Sequence, residues 1–279
     1  MAKHILLMEG PDAKGLIFHV TSVLFNNECN ILRQDEYVSP NGWFFMRTEF
    51  VSADDFDTQK VLVDLRVKVP SEEIQFRLNT QKKKDIVLLC TKEHHCLSEI
   101  LIRYAFKELN ANVLAVVSNY DTLEPFVSKF GIPFHHVSAE NFTREEHEAA
   151  ILKTLDIYNP ELLVLAKYMR ILSPEFVSKY SNKIVNIHHS FLPAFIGANP
   201  YKQAYERGVK VIGATAHFVN NHLDEGPIIA QDTREVDHRY SAADMARDGR
   251  DVEKMVLIKA LKLVLDDRVF IFGNRTVIL

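Results

Sequence analysis

Between Asp85 and Ile187, five apolar, strand-like runs alternate with helical patterns: Asp85 to Cys90, Ala111 to Ser118, Pro133 to Val137, Glu161 to Ala166 and Lys183 to Ile187. Such alternation predicts a mainly parallel sheet covered on both faces. In open sheets of this kind, ligands bind outside the carboxyl ends of the strands. The fifth run closes on the segment NIHH, and the period of two in a strand sets Asn186 and His188 side by side on one face at that edge. Residues Gly208 to Asp232 predict further strands that carry Asp224 back to the same edge. Leu257, Leu261, Val264 and Leu265 mark a long helix, and VFIF-GNR-TVIL reads as a terminal hairpin.

The first eighty residues follow another pattern. His4 to Met8 reads as a strand and GPDAKG as a turn. Leu16 to Asn26 carries a helical stripe at Ile17, Val20, Val23 and Leu24. Cys29 to Tyr37 and Trp43 to Val51 are rich in strand formers around the turn at Ser39 to Gly42. Thr58 to Arg66 suits a short helix, and Glu72 to Asn79 alternates at Ile74, Phe76 and Leu78. The resulting βαββαβ order is the ferredoxin-like arrangement. With 279 residues the chain has length for two domains, here 1–80 and 85–279, joined by a polar linker at 81–84.

Composition narrows the partners. The 33 basic and 37 acidic side chains nearly balance at a net charge of −4, so no global field recruits nucleic acid or an anionic membrane. Lys82 to Lys84 reads as a solvated linker without an aromatic platform for bases. Cys29, Cys90 and Cys96 form neither a disulfide framework nor a zinc-ribbon spacing, as a reducing cytoplasm predicts. The N-terminal apolar stretch is too short for a signal peptide, and no run reaches the length of a membrane span. A cytoplasmic protein with a small-molecule partner is expected.

Asn186, His188 and Asp224 gather an amide, an imidazole and a carboxylate. That set suits attack on a planar carbonyl: a donor for the developing oxyanion, a group that moves a proton, and a carboxylate that orients the imidazole and polarises water. The surrounding words, NIHHSFLPAFIG from Asn186 and GATAHFVNNHLDEGPIIAQ from Gly213, resemble the folate-dependent formyltransferase family. The resemblance implies a Rossmann-like catalytic domain in which Asn186, His188 and Asp224 are catalytic. It also implies a pterin-binding loop in LAKYMRILS, acting through groups around Met169, Arg170 and Leu172. His189, Gly197 and Asn221 are further candidates for substrate binding, and His95 joins His189 as a weaker one.

Phosphate-binding turns at a helix N-terminus need glycine for close backbone approach. The turn after the first parallel strand, CTKEHHCLSEIL, has none, and it carries Glu93 and Glu99. A phosphorylated amine is therefore a poor acceptor, and water is the simplest nucleophile. Together with TKEHHCL, YMRILSPEF and GRDVEK, this makes the chain similar to the deformylase branch of the family. That branch hydrolyses 10-formyltetrahydrofolate to tetrahydrofolate and formate, balancing the one-carbon pool and supplying purine synthesis. No cofactor beyond that substrate is expected. Transfer to an unphosphorylated amine, and a folate- or amino-acid-sensing binding protein, are the alternatives. Adjacent histidines on a strand face opposite ways, so the doublets at His94, His135 and His188 predict no metal. The opening GPDAKGLI resembles an ACT domain, implying a homo-oligomer and an effector such as glycine or methionine near Asp12, Gly15, Asn30 and Ile31.

Overall fold

The computed structural model describes residues 2–53, 56–69, 71–80, 82–194 and 199–279. The chain divides into two compact units. Met1–Lys82 with Asp267–Phe270 and Val277–Leu279 form the first, and Lys83–Asp266 with Ile271–Thr276 the second.

In the first unit β1 (Ala2–Pro11), α1 (Leu16–Asn26), β2 (Asn30–Val38), β3 (Trp43–Ser52), α2 (Thr58–Lys68) and β4 (Gln75–Thr80) follow one another. The strands lie in the order β2-β3-β1-β4, each antiparallel to its neighbours. One face of the sheet sends Leu6, Met8, Phe44 and Met46 into a core with Val20 and Leu24 of α1 and Val61 and Leu65 of α2. The period of two along the strands and the 3–4 spacing along the helices bring these side chains together. Asp57 starts α2, its carboxylate accepting the N–H groups of Gln59 and Lys60 at 2.9 and 3.1 Å. The C-terminal residues belong here too: the buried Phe270 ring packs edge-on against Phe45 at 5.5 Å.

The second unit runs through β5 (Lys84–Cys90), α3 (His95–Ala105), β6 (Ala111–Ser118), α4 (Glu124–Val127), β7 (Phe134–His136) and α5 (Arg144–Tyr158). It continues with β8 (Leu162–Ala166), α6 (Pro174–Lys179), β9 (Ile184–His188), α7 (Pro200–Arg207), β10 (Val211–Phe218), β11 (Ile228–Glu235) and α8 (Ala242–Leu265). A short hairpin of β12 (Val269–Phe272) and β13 (Arg275–Ile278) ends the chain. The seven-stranded sheet has the order β11-β10-β9-β8-β5-β6-β7. Strands β5 to β9 pair in parallel, and β10 and β11 add an antiparallel edge. Every residue of β8 is buried, as a strand covered on both faces requires. Strand order reverses between β5 and β8, which makes their carboxyl ends the topological switch point.

Helix α8 begins at a capping box in which Ser241 and Asp244 satisfy each other's backbone N–H. Its buried stripe runs through Met245, Gly249, Val252, Val256, Leu257, Ala260 and Leu261, and it includes one carboxylate, Glu253. Among the described residues, no helix is long and apolar enough to cross a membrane.

Candidate active site

Strand β9 ends in Asn186, Ile187 and His188, and β10 runs antiparallel beside it with His217 opposite Asn186 and Thr215 opposite His188. Facing positions on neighbouring strands share a face, so four polar side chains gather in one patch. Asp224 enters from the loop between β10 and β11, its backbone at φ 58°. The glycine of the DEGP turn makes this possible. A Cβ on Gly226 would sit 1.8 Å from the Phe218 carbonyl oxygen, so only glycine lets the loop close against the end of β10.

Nδ1 of His188 lies 3.2 Å from Oδ1 of Asp224, while His188 Nε2 is buried and, among the described residues, without a partner. Since the carboxylate accepts the Nδ1 proton, Nε2 is the nitrogen left to handle a proton. His217 donates from Nδ1 to the Phe218 carbonyl at 2.9 Å. Its Nε2 therefore accepts from Asn186 Nδ2, at 3.2 Å, and fixes which end of the amide points inward. Burial holds the His217 pKa below its ordinary value, which keeps Nε2 an acceptor at neutral pH. For Asp224 burial acts upward, but chiefly the His188 hydrogen bond outweighs it and holds the acid below the usual aspartate value. The patch thus offers an ionised carboxylate, an oriented imidazole and a fixed N–H donor within one group of contacts.

Residues 84–261 match the Formyl transferase family. A formyltetrahydrofolate deformylase of Haemophilus influenzae is 52% identical over 278 residues, 99% of each chain. The Escherichia coli deformylase is 53% identical, covering 96% of this chain and 95% of its own. The crystal structure of a Pseudomonas syringae formyltetrahydrofolate deformylase superposes at a TM-score of 0.96 with 38% identity, covering all of this chain and 95% of the other. The chain belongs to the formyltetrahydrofolate deformylase family.

In this deformylase-family chain the loop from Lys167 to Ser173 leaves the end of β8, beside the patch. It is a loop, with Met169 and Ile171 each 57% exposed. Leu172 instead packs on the core around Tyr168 and Phe176, so its side chain anchors the loop while Met169 offers an apolar wall. Ser173 pins the far end: its N–H donates to Glu148 at 2.8 Å, its hydroxyl also donates to that carboxylate, and the hydroxyl oxygen caps α6 through the Phe176 N–H. Asn221 is exposed on the loop before Asp224. Gly197 lies outside the described residues.

A second buried cluster occupies the switch point. Glu253 Oε2 accepts from His95 Nε2 at 2.8 Å and pairs with Lys167 Nζ at 3.2 Å, and Oε1 accepts from the Tyr201 hydroxyl at 2.6 Å. Tyr201 reaches it across Gly249, where a Cβ would meet the Tyr201 oxygen at 2.1 Å. Burial would raise the Glu253 pKa, yet the His95 hydrogen bond and the Lys167 charge bring it down to about 2. His189 stands between the two clusters. Burial and the Lys167 charge lower its pKa to about 4, so it is neutral at pH 7. His95, Cys96 and Glu253 place three potential metal-ligand atoms within 4.8 Å. Both carboxylate oxygens are already engaged, however, and burial with the Glu253 charge holds the Cys96 thiol well above its usual pKa.

The sequence reasoning did not single out His217, Lys167, Tyr201, Glu253 or Glu148. Glu253 had a visible signal, a carboxylate within an apolar helical stripe.

In the first unit, Asp12 and the positive-φ Gly15 follow β1, where Pro11 pairs with Trp43. Asn30 pairs with Val51, which pairs with Lys3 at the start of β1. Eight residues of strand separate Lys3 from Pro11, about 26 Å at the usual rise. Within one copy, Asp12 and Gly15 therefore lie at the opposite end of the sheet from Asn30 and Ile31, and the four do not form a single pocket.

Proposed function

We propose that the chain hydrolyses 10-formyltetrahydrofolate to tetrahydrofolate and formate with water as the only acceptor. The observation that carries this reading is the His188–Asp224 pair, whose Nε2 has no partner among the described residues, set beside an Asn186 amide that His217 orients. Asp224, ionised at neutral pH, aligns the water and takes up its proton as oxygen attacks the formyl carbon. Asn186 Nδ2 and an N–H of His188 donate to the oxyanion of the tetrahedral intermediate. His188 then gives a proton to the departing folate nitrogen as the C–N bond breaks. The Lys167–Ser173 loop takes the pterin, with Met169 and Arg170 in contact and Leu172 as its anchor. His189 and Asn221 border the substrate, and no other cofactor enters the reaction.

The likeness to formyltetrahydrofolate deformylases, the family match over residues 84–261 and the ionised Asp224 support this reading. The first unit serves as an ACT-like module. Because Asp12 and Gly15 lie far from Asn30 and Ile31 within one copy, an amino-acid effector such as glycine or methionine binds where two copies meet. A homo-oligomer is part of that reading. Its setting is the cytoplasmic one-carbon pool and the formate supply for purine synthesis.

The test is formate release from 10-formyltetrahydrofolate in buffer without any amine, comparing the natural chain with Asp224→Ala. Stoichiometric formate and tetrahydrofolate, lost in the variant, is the expected result. Absence of release from a natural chain that still binds folate would overturn the hydrolase reading.

A further inference from the structure

Lys167 is 4% exposed and adopts φ 62°, a left-handed conformation in which glycine is the default residue. Its backbone is pinned there, because the Thr91 hydroxyl donates to the Lys167 carbonyl at 2.7 Å across the switch point between β5 and β8. Its ammonium is taken out of water to meet Glu253 at 3.2 Å. A buried lysine is tolerated when paired, but packing alone gives no reason to place one on a disfavoured backbone. The position is the default ligand crevice of such a sheet.

That crevice adjoins the candidate catalytic patch. Leu165 of β8 pairs with Asn186 of β9, so Lys167 and His188, each two residues further on, stand level on adjacent strand ends. A cavity of about 230 Å³, lined by His189, Tyr201 and Phe191 among others, lies against the same cluster, since the Tyr201 hydroxyl bonds Glu253. Next to the strand end that carries His188 there are thus a cavity reached through Tyr201, a buried carboxylate suited to a cation, and an ammonium that the protein itself supplies.

We propose that Lys167 is a specificity-determining residue whose ammonium fills the place beside Glu253 that a primary-amine acceptor would take, leaving water as the nucleophile. The inference rests on the hydrolytic reading above. In hydrolysis the formyl carbon loses its bond to the folate nitrogen, gains one to water oxygen, and a proton from water ends on that nitrogen. With an amine admitted, the free base attacks instead. A new C–N bond forms, the old one breaks, and the proton shed by the amine goes to the folate nitrogen. The products are tetrahydrofolate and an N-formylamine.

Lys167→Gly fits the observed φ and leaves Glu253 with His95 and Tyr201 as partners. Tetrahydrofolate, formate and N-formylglycinamide are measured by mass spectrometry with millimolar glycinamide as the probe amine. The natural chain should give formate equal to tetrahydrofolate. The glycine variant should give N-formylglycinamide roughly tenfold or more above the natural chain, the scale on which opening a pocket changes discrimination. Lys167→Met, which keeps the volume of the stem without the charge, should give no formylamide. Lys167→Asn, a residue that accepts positive φ, serves as the second opening variant under the same criteria. The proposal is overturned if the opening variants turn over folate to formate alone, or if Lys167→Met forms as much formylamide as Lys167→Gly. A natural chain that releases no formate without amine would defeat the hydrolase reading instead, a distinct result.

Discussion

Two buried polar clusters stand at neighbouring strand ends of the second unit, and they treat their hydrogen-bonding capacity differently. Around Glu253 both carboxylate oxygens are taken, by His95 and Lys167 on one and Tyr201 on the other. Around Asp224 the bonding stops short: among the described residues, His188 Nε2 is buried and unpartnered. Leaving a buried nitrogen unsatisfied costs on the order of 1–3 kcal/mol, a cost that is recovered only if something arrives to bond it. The saturated cluster fixes the shape of the crevice, while the unsaturated one keeps donors and acceptors free for reacting atoms. Burial and charge alone do not separate the two, but spare bonding capacity does.

The largest effect that would sharpen this contrast is on stability. Glu253→Ala removes the partner of a buried ammonium and should lower unfolding stability by about 3–5 kcal/mol in urea titrations. The pH dependence has a definite sign. With the folded Glu253 held at about 2, below its ordinary 4.5, its stabilisation is fully present above pH 4.5 and is lost as pH falls toward 2. At about 1.4 kcal/mol per pKa unit, roughly 3 kcal/mol should disappear across that window. Glu253→Gln should flatten it. An unchanged acid profile in the glutamine variant would show that the cluster is not the stabilising element.

Next comes the effect on rate. Asp224→Ala and His188→Ala should each lose a hundredfold or more in kcat, about 3 kcal/mol of transition-state stabilisation. Their unfolding midpoints should stay close to that of the natural chain, because neither completes a saturated network. His188→Ala also removes the unpartnered Nε2. Loss of rate and stability in parallel would mean that the patch is structural and would erase the distinction between the clusters.

What was legible in the sequence follows the same divide. The alternation of apolar runs located the five parallel strands to within a residue or two, because a strand buried on both faces has to be apolar throughout. Helix α1 matched its expected bounds, but its buried stripe takes in Leu16, Val20, Val23 and Leu24 while Ile17 is exposed. Asn186 and His188 could be paired from the period of two alone. His217 could not, because its place opposite Asn186 depends on the antiparallel register of β10 against β9, a long-range fact. The Glu253 cluster was harder still, drawing on α3, the end of β8, α7 and α8, segments that meet only once the sheet is wound. Lys167 read as part of a loop word, and nothing local in LAKYMRILS announces a positive φ or a buried ammonium. In the first unit the alternation showed the strands, but only the register showed that Asp12 and Asn30 lie at opposite ends of the sheet.

The smallest effect concerns His217, which touches both descriptions. Its Nδ1 is bonded to a carbonyl in the manner of the saturated cluster, yet its Nε2 serves Asn186 within the unsaturated one. His217→Phe keeps a ring between β9 and β10 while removing the acceptor, so the Asn186 amide loses its fixed orientation. A misaimed donor weakens the transition state more than substrate binding. The expected result is a fall in kcat of about tenfold with KM little changed, the scale typical of losing a residue that orients a reacting group. Pre-steady-state folate binding measured alongside kcat separates the two terms. A rise in KM at constant kcat would move His217 from orienting Asn186 to holding substrate. No change in either would show that the strand pairing alone keeps the amide in place.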